Sequence, residues 1–123
     1  MAHRSPLSWG LALVAGAALA AASVSAPALA RAAKAPKPHI YPVTIEQMKF
    51  SSPPPEIHVG DTIEWINNDI FVHSATAKDK SFDVELQPKQ HLWTTFHAVG
   101  TYAFYCRYHP GMTGTLVVKA PAR

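Results

Sequence analysis

The segment YCRYHPGM, Tyr105 to Met112, holds the chain's single cysteine, a histidine three positions on and a methionine three beyond that. A thiol, an imidazole and a thioether at this spacing allow three chemistries: a nucleophile with its base, an inert buried thiol, or part of a metal site. As a nucleophile, Cys106 would use His109 as activating base, with Arg107 favouring the thiolate. An oxidising compartment quickly spoils an exposed thiolate of that kind, and strand parity turns Cys106 inward with Tyr102 and Phe104. An inert cysteine is common, because free cysteine is among the most buried residue types. The company of Cys106 favours the third chemistry. A tight loop containing Pro110 and Gly111 can curl all three donors around one point at the end of a strand. Soft sulfur with imidazole suits copper, and two histidines, a cysteine and a weak axial methionine make an electron-transfer copper site.

Such a site requires a second histidine from elsewhere. His39 lies beside a Pro- and Ala-rich leader, His58 alternates with inward Ile57 and Val59, and His91 and His97 flank a strand as ordinary surface residues. His73 stands apart. In NNDIFVHSATA it follows a polar turn and sits within an apolar stretch, after the strand that carries Trp65. A lone histidine on an apolar face is more often a hydrogen-bonded core residue than a ligand; three converging donors near the C-terminus reverse that weighting.

The elements that must position these residues read as strands throughout. VTIEQMKF turns Val43, Ile45 and either Met48 or Phe50 inward, and SSPPPE excludes a ladder across Pro53 to Pro55. EIHVGDTIEWIN is a short strand, a turn at Gly60-Asp61 and a strand with Ile63 and Trp65 on one face. Leu92, Thr94 and Phe96 alternate before a turn at Gly100, Tyr102, Phe104 and Cys106 then share a face, and MTGTLVVK closes the domain. Residues 75–90 are the least legible: SFDVEL alternates through Phe82, Val84 and Leu86, while AKDK before it reads as loop. Trp93 fits either face. Short strands broken by Gly and Pro predict an all-β, antiparallel sandwich or barrel.

The chain has 123 residues, enough for one domain. Leu7 to Val24 is almost wholly apolar, and SAPALA ends in small residues, which predicts a secretory signal peptide over 1–30 cleaved after Ala30. Left uncleaved, the same run would be a membrane anchor. Residues 31–38, RAAKAPKP, read as a flexible leader, and 39–120 as the folded domain. Beyond residue 30 the net charge is about +2 and scattered, which gives no footprint for nucleic acid. Export to the periplasm leaves a lone cysteine that must be buried, bonded to another chain or held by a metal.

GDTIEWINND followed by a histidine, then FHAVGTYAFYCRYHPGM and GTLVVK, resembles the cupredoxins, small blue copper proteins, over about residues 40–119, which implies a Greek-key sandwich or barrel. The short Cys-x2-His-x2-Met loop is similar to that of amicyanins; plastocyanins and pseudoazurins have longer gaps before the methionine. The resemblance implies His73, Cys106 and His109 as equatorial ligands and Met112 as axial ligand of one type 1 copper ion. It implies a monomeric carrier of single electrons rather than an enzyme, docking transiently with a dehydrogenase, a cytochrome or an oxidase. His109 would reach the surface near Pro110 and Gly111, with Ile70 and Phe71 either beside it or simply packed. A copper chaperone or buffer in the periplasm would use the same ligands for delivery. The family commonly has Asn after the first histidine, tying that segment to the cysteine loop. Here Ser74 stands there, and its shorter side chain predicts a loop less firmly held.

Overall fold

The structure is a computed structural model that describes residues 10–13, 15–17 and 36–121. Most of the expected export segment, and residues 31–35 of the expected leader, lie outside the described residues. Among the described residues no helix is long and apolar enough to cross a membrane.

Nine strands are described: β1 (Ile40–Glu46), β2 (Lys49–Phe50), β3 (Ile57–His58), β4 (Thr62–Asn67), β5 (His73–Ala77), β6 (Asp83–Leu86), β7 (His91–Thr95), β8 (Gly100–Tyr105) and β9 (Thr113–Lys119). They form a four-stranded sheet in the order β2-β1-β4-β7 and a five-stranded sheet in the order β3-β9-β8-β5-β6. The all-β sandwich is therefore as expected. Two pairings, β1 with β4 and β3 with β9, are parallel. Side-chain alternation has the same period in either direction, so the sequence pattern carries no trace of that difference.

The core lies between the sheets. Val43, Ile45, Ile63 and Trp65 fill it from one side, and Ala75, Leu86, Phe104, Leu116 and Val118 from the other. Trp65 and Phe104 meet edge-on across it, with ring centroids 5.2 Å apart, the arrangement that aromatic quadrupoles favour. Phe50 joins this cluster against both rings, whereas Met48 is exposed. The reason is the turn between β1 and β2. Gln47 and Met48 both have positive φ, 52° and 62°, in a two-residue hairpin loop closed by the Glu46–Lys49 pair. Trp93 is exposed, opposite Glu64 on the outer face of the four-stranded sheet.

Two polar residues shape the ends of the sandwich. Asp61, buried in the β3–β4 turn, accepts the amides of His39 and His58, each at 2.8 Å. At the other end, fully buried Asn67 closes β4. Its Nδ2 donates to the carbonyls of Phe71, Leu86 and Gln87, and its Oδ1 accepts the Asp69 amide at 3.0 Å. The segment from 68 to 72, which delivers His73 into β5, is thereby folded back on the β6–β7 connection.

Candidate metal centre

Three elements meet at this end. β5 begins with His73, β8 ends just before Cys106, and the loop from Cys106 to Met112 returns into β9. That loop is wound by its own backbone: the His109 amide donates to the Cys106 carbonyl at 3.3 Å, Met112 to His109 at 2.8 Å, and Cys106 to Met112 at 3.0 Å. Seven residues thus close into a compact turn that returns Met112 beside Cys106. Cys106 and His73 are fully buried, Met112 is nearly so, and His109 is half-buried.

The donors converge. His73 Nδ1 lies 3.7 Å and His109 Nδ1 3.8 Å from Cys106 Sγ, and the three residues each bring one ligand atom within 4.8 Å of the others. Among the described residues this is the one cluster of such side chains able to hold a metal ion. Three other described histidines stand elsewhere: His39 and His58 face Asp61, and His91 pairs with Glu64. A thiol and two imidazoles at this separation, with a thioether returned by the same loop, match the donor set that copper favours.

The supporting shell is specific. His73 Nε2 lies 2.8 Å from Asp69 Oδ2. A carboxylate can only accept, so Nε2 carries the proton and Nδ1 is left with its lone pair toward the sulfur. The Asp69 carboxyl also accepts the amides of Gln47 and Met48 at the positive-φ hairpin turn. Desolvation pushes its pKa upward, but the Met48 amide, His73 and the Gln47 amide together hold it below the ordinary value. Sequence reasoning missed Asp69. The available signal was an acid four residues before the histidine, inside what read only as a polar turn.

Ser74 ties its own segment to the Cys106–Met112 loop. Its amide donates to Cys106 Sγ at 3.3 Å, and its hydroxyl accepts the Arg107 amide at 2.8 Å. The segment carrying His73 is thus tied to the cysteine loop twice, once through the sulfur. Arg107 also reaches Asp83 and Glu85 on β6, and the Tyr108 hydroxyl donates to Glu85. That hydrogen bond favours the neutral phenol and raises the Tyr108 pKa above its ordinary value.

A family model described as a Cupredoxin-like domain matches residues 12–118. The chain belongs to the cupredoxin-like family. This cupredoxin is 31% identical over 83 residues to an amicyanin from Paracoccus versutus, an alignment covering 63% of each chain. It is 36% identical over 83 residues to amicyanin-alpha from Methylorubrum extorquens, covering 63% of this chain and 70% of that one. A plastocyanin from Nostoc punctiforme is 37% identical over 82 residues, covering 51% and 59%. The match thus spans under two thirds, 63%, of the length of the Paracoccus versutus relative. Among solved structures, the Cu(I) form of an amicyanin with one methionine replaced by alanine superposes with a TM-score of 0.55 at 32% identity, covering 70% of this chain and 86% of that one.

Proposed function

We propose that this cupredoxin is an exported type 1 copper protein that carries single electrons between larger redox partners. The convergence of two imidazole Nδ1 atoms on one buried sulfur, at 3.7 and 3.8 Å, carries the reading. Its ligands are His73, Cys106, His109 and Met112, and it acts as a carrier rather than an enzyme. The likeness to amicyanins and plastocyanins supports the same assignment. Copper, when bound, supplies a one-electron Cu(I)/Cu(II) couple.

The protein's part is to keep the donors still. His73 is fixed in one tautomer by Asp69, and the loop turns of Cys106–Met112 are closed by main-chain bonds. The Ser74 amide donates toward Cys106 Sγ, which favours negative charge on the sulfur. A donor set that moves little between oxidation states lowers the barrier to passing an electron. Half-buried His109 offers a covalent path outward, while exposed Ile70 and Phe71 on the segment before His73 give an apolar contact suited to brief docking. The partner is a dehydrogenase, a cytochrome or an oxidase, met by a monomer in the periplasm after cleavage at Ala30.

Addition of Cu(II) with visible spectroscopy tests the reading. The intact protein should develop an intense thiolate-to-copper charge-transfer band and cycle between oxidation states without losing metal. Cys106→Ala should remain colourless, and His73→Ala should lose or shift the band. Colour retained in Cys106→Ala would remove the ligand assignment. Metal lost at each reduction would make the protein a copper store instead.

A further inference from the structure

Strand β5 is buried at all five positions, including Ser74 and Thr76 on the face turned away from the core. Those two hydroxyls belong to a relay whose direction can be worked out. The Thr76 hydroxyl donates to Asp83 Oδ1 at 2.8 Å, which uses its only proton. The 2.9 Å contact between Ser74 Oγ and Thr76 Oγ1 is therefore donated by Ser74. Ser74 Oγ in turn accepts the Arg107 amide at 2.8 Å. The relay runs from the Arg107 amide through Ser74 and Thr76 to Asp83, whose other oxygen binds the Arg107 guanidinium. It begins and ends on one residue.

We propose that Arg107 is a positioning residue: its amide and guanidinium close a hydrogen-bonded ring through Ser74, Thr76 and Asp83 that holds the Ser74 N–H against the Cys106 sulfur. The guanidinium is anchored further by Glu85, 3.0 Å from its second nitrogen, so it spans two carboxylates of the edge strand β6 as only a planar fork can. The ion pairs are partly exposed, at 36% for Arg107 against 46% and 43% for its partners. Pairs so exposed add little to folding stability. What the ring supplies is geometry. Ser74 has no freedom to turn, because its hydroxyl is committed as donor and as acceptor, and its amide stays directed at the sulfur. A donor at that sulfur favours whichever oxidation state places more charge there, namely the reduced one.

The test compares Arg107→Ala with Thr76→Val, which breaks the relay while leaving the charges in place. In metal-free protein the Ser74 and Arg107 amides should exchange at least about tenfold faster in both variants, an acceleration confined to them and larger than that of the rest of the domain, whatever fall in Tm the unpaired Ser74 hydroxyl brings to Thr76→Val. With copper bound, the ratio of reduced to oxidised protein at a fixed ambient potential should fall about three- to tenfold, the range a weakened hydrogen bond allows. The double variant should add little to either single one, because one break opens the whole ring. Arg107→Lys should not restore the parent behaviour. Exchange within twofold of the parent in both variants overturns the proposal, as does acceleration spread evenly over the domain with a falling Tm, or additivity in the double variant. The redox arm rests on the copper reading and the exchange arm does not. A parent that binds no copper but shows the exchange effect refutes the function and keeps the ring.

Discussion

Asp69 Oδ2 lies 2.8 Å from His73 Nε2, and the same oxygen accepts the Met48 amide at 2.9 Å while Oδ1 takes the Gln47 amide at 2.8 Å. One carboxylate thus orients an imidazole and also closes a hairpin whose two central residues are strained into the left-handed region. Asp69→Ala should free both. Outer partners of this kind commonly cost 10- to 100-fold in metal affinity when removed. Competition against a chelator should show a copper affinity lower by roughly that factor. An affinity unchanged in the variant would mean that His73 is held by packing alone.

The same carboxylate gives a pH dependence. Its folded pKa is depressed, so its contribution to stability is present above the ordinary carboxylate value and is lost as pH falls through the lowered folded value. Urea midpoints of metal-free protein should begin to drop as pH falls below about 4, the ordinary carboxylate value, and go on dropping through the lowered folded value. Asp69→Asn should be less stable at neutral pH and show a shallower decline over that window. A decline of identical slope in the variant would assign the acid lability to other carboxylates.

Asn67 has no exposed surface, and four hydrogen bonds from its side chain hold the turn that precedes His73. Asn67→Ala would strand three carbonyls and one amide, each buried unpaired group costing about 1–3 kcal/mol unless water reaches it. Some of those carbonyls lie near the surface and will rehydrate. A loss of about 3 kcal/mol in denaturant unfolding is expected, with local loosening of residues 68–72. A loss below about 0.5 kcal/mol would show that the turn is held by its main-chain bonds to Gln90 and Lys89 alone.

The strands that alternate cleanly were legible because one face meets the core: Ile63 with Trp65, and Phe104 with Cys106, are buried as their parity requires. The Cys106–Met112 loop was legible because its donor chemistry is rare at that spacing. What escaped was polar. Asp61, Asn67 and Asp69 read only as parts of polar turns, whereas each spends its side chain on backbone amides or carbonyls many positions away. β5 shows the same blindness from the other side. Its buried Ser74 and Thr76 face a hydrogen-bonded ring rather than apolar atoms, so no hydrophobic period could mark them. Ser74, whose shorter side chain predicts a loop less firmly held, accepts the Arg107 amide with its hydroxyl at 2.8 Å.

Gly114 in β9 faces the ring of Phe104, and a methyl group built there would come within 2.2 Å of its Cζ. No side chain fits without moving Phe104, which packs against Trp65, Phe50 and Phe82. Gly114→Ala should cost about 1–3 kcal/mol as an overpacked core. Because Cys106 follows Phe104 by two residues on the same face, the strain should reach the metal centre and shift its charge-transfer band. Phe104→Leu in the same background should recover part of the loss. A variant as stable as the parent would mean that β9 can slide away from β8 at this point.

Ile70 and Phe71 are 76% and 52% exposed, large side chains presented on the turn that delivers His73. Burying such residues against a partner contributes about 1.5–3 kcal/mol each when complete, enough for a contact that forms and breaks quickly. If this face is where electrons leave, Phe71→Lys should slow electron exchange between oxidised and reduced copies of the protein. Two like charges would then meet in the encounter, and the slowing should ease as salt screens them. A fall of about tenfold at low ionic strength is expected, equivalent to about 1.4 kcal/mol in the barrier. Exposed Trp93 lies on the outer face of the other sheet, so Trp93→Lys serves as the control and should leave the rate unchanged. Equal slowing by both substitutions would point to net charge rather than to a docking face.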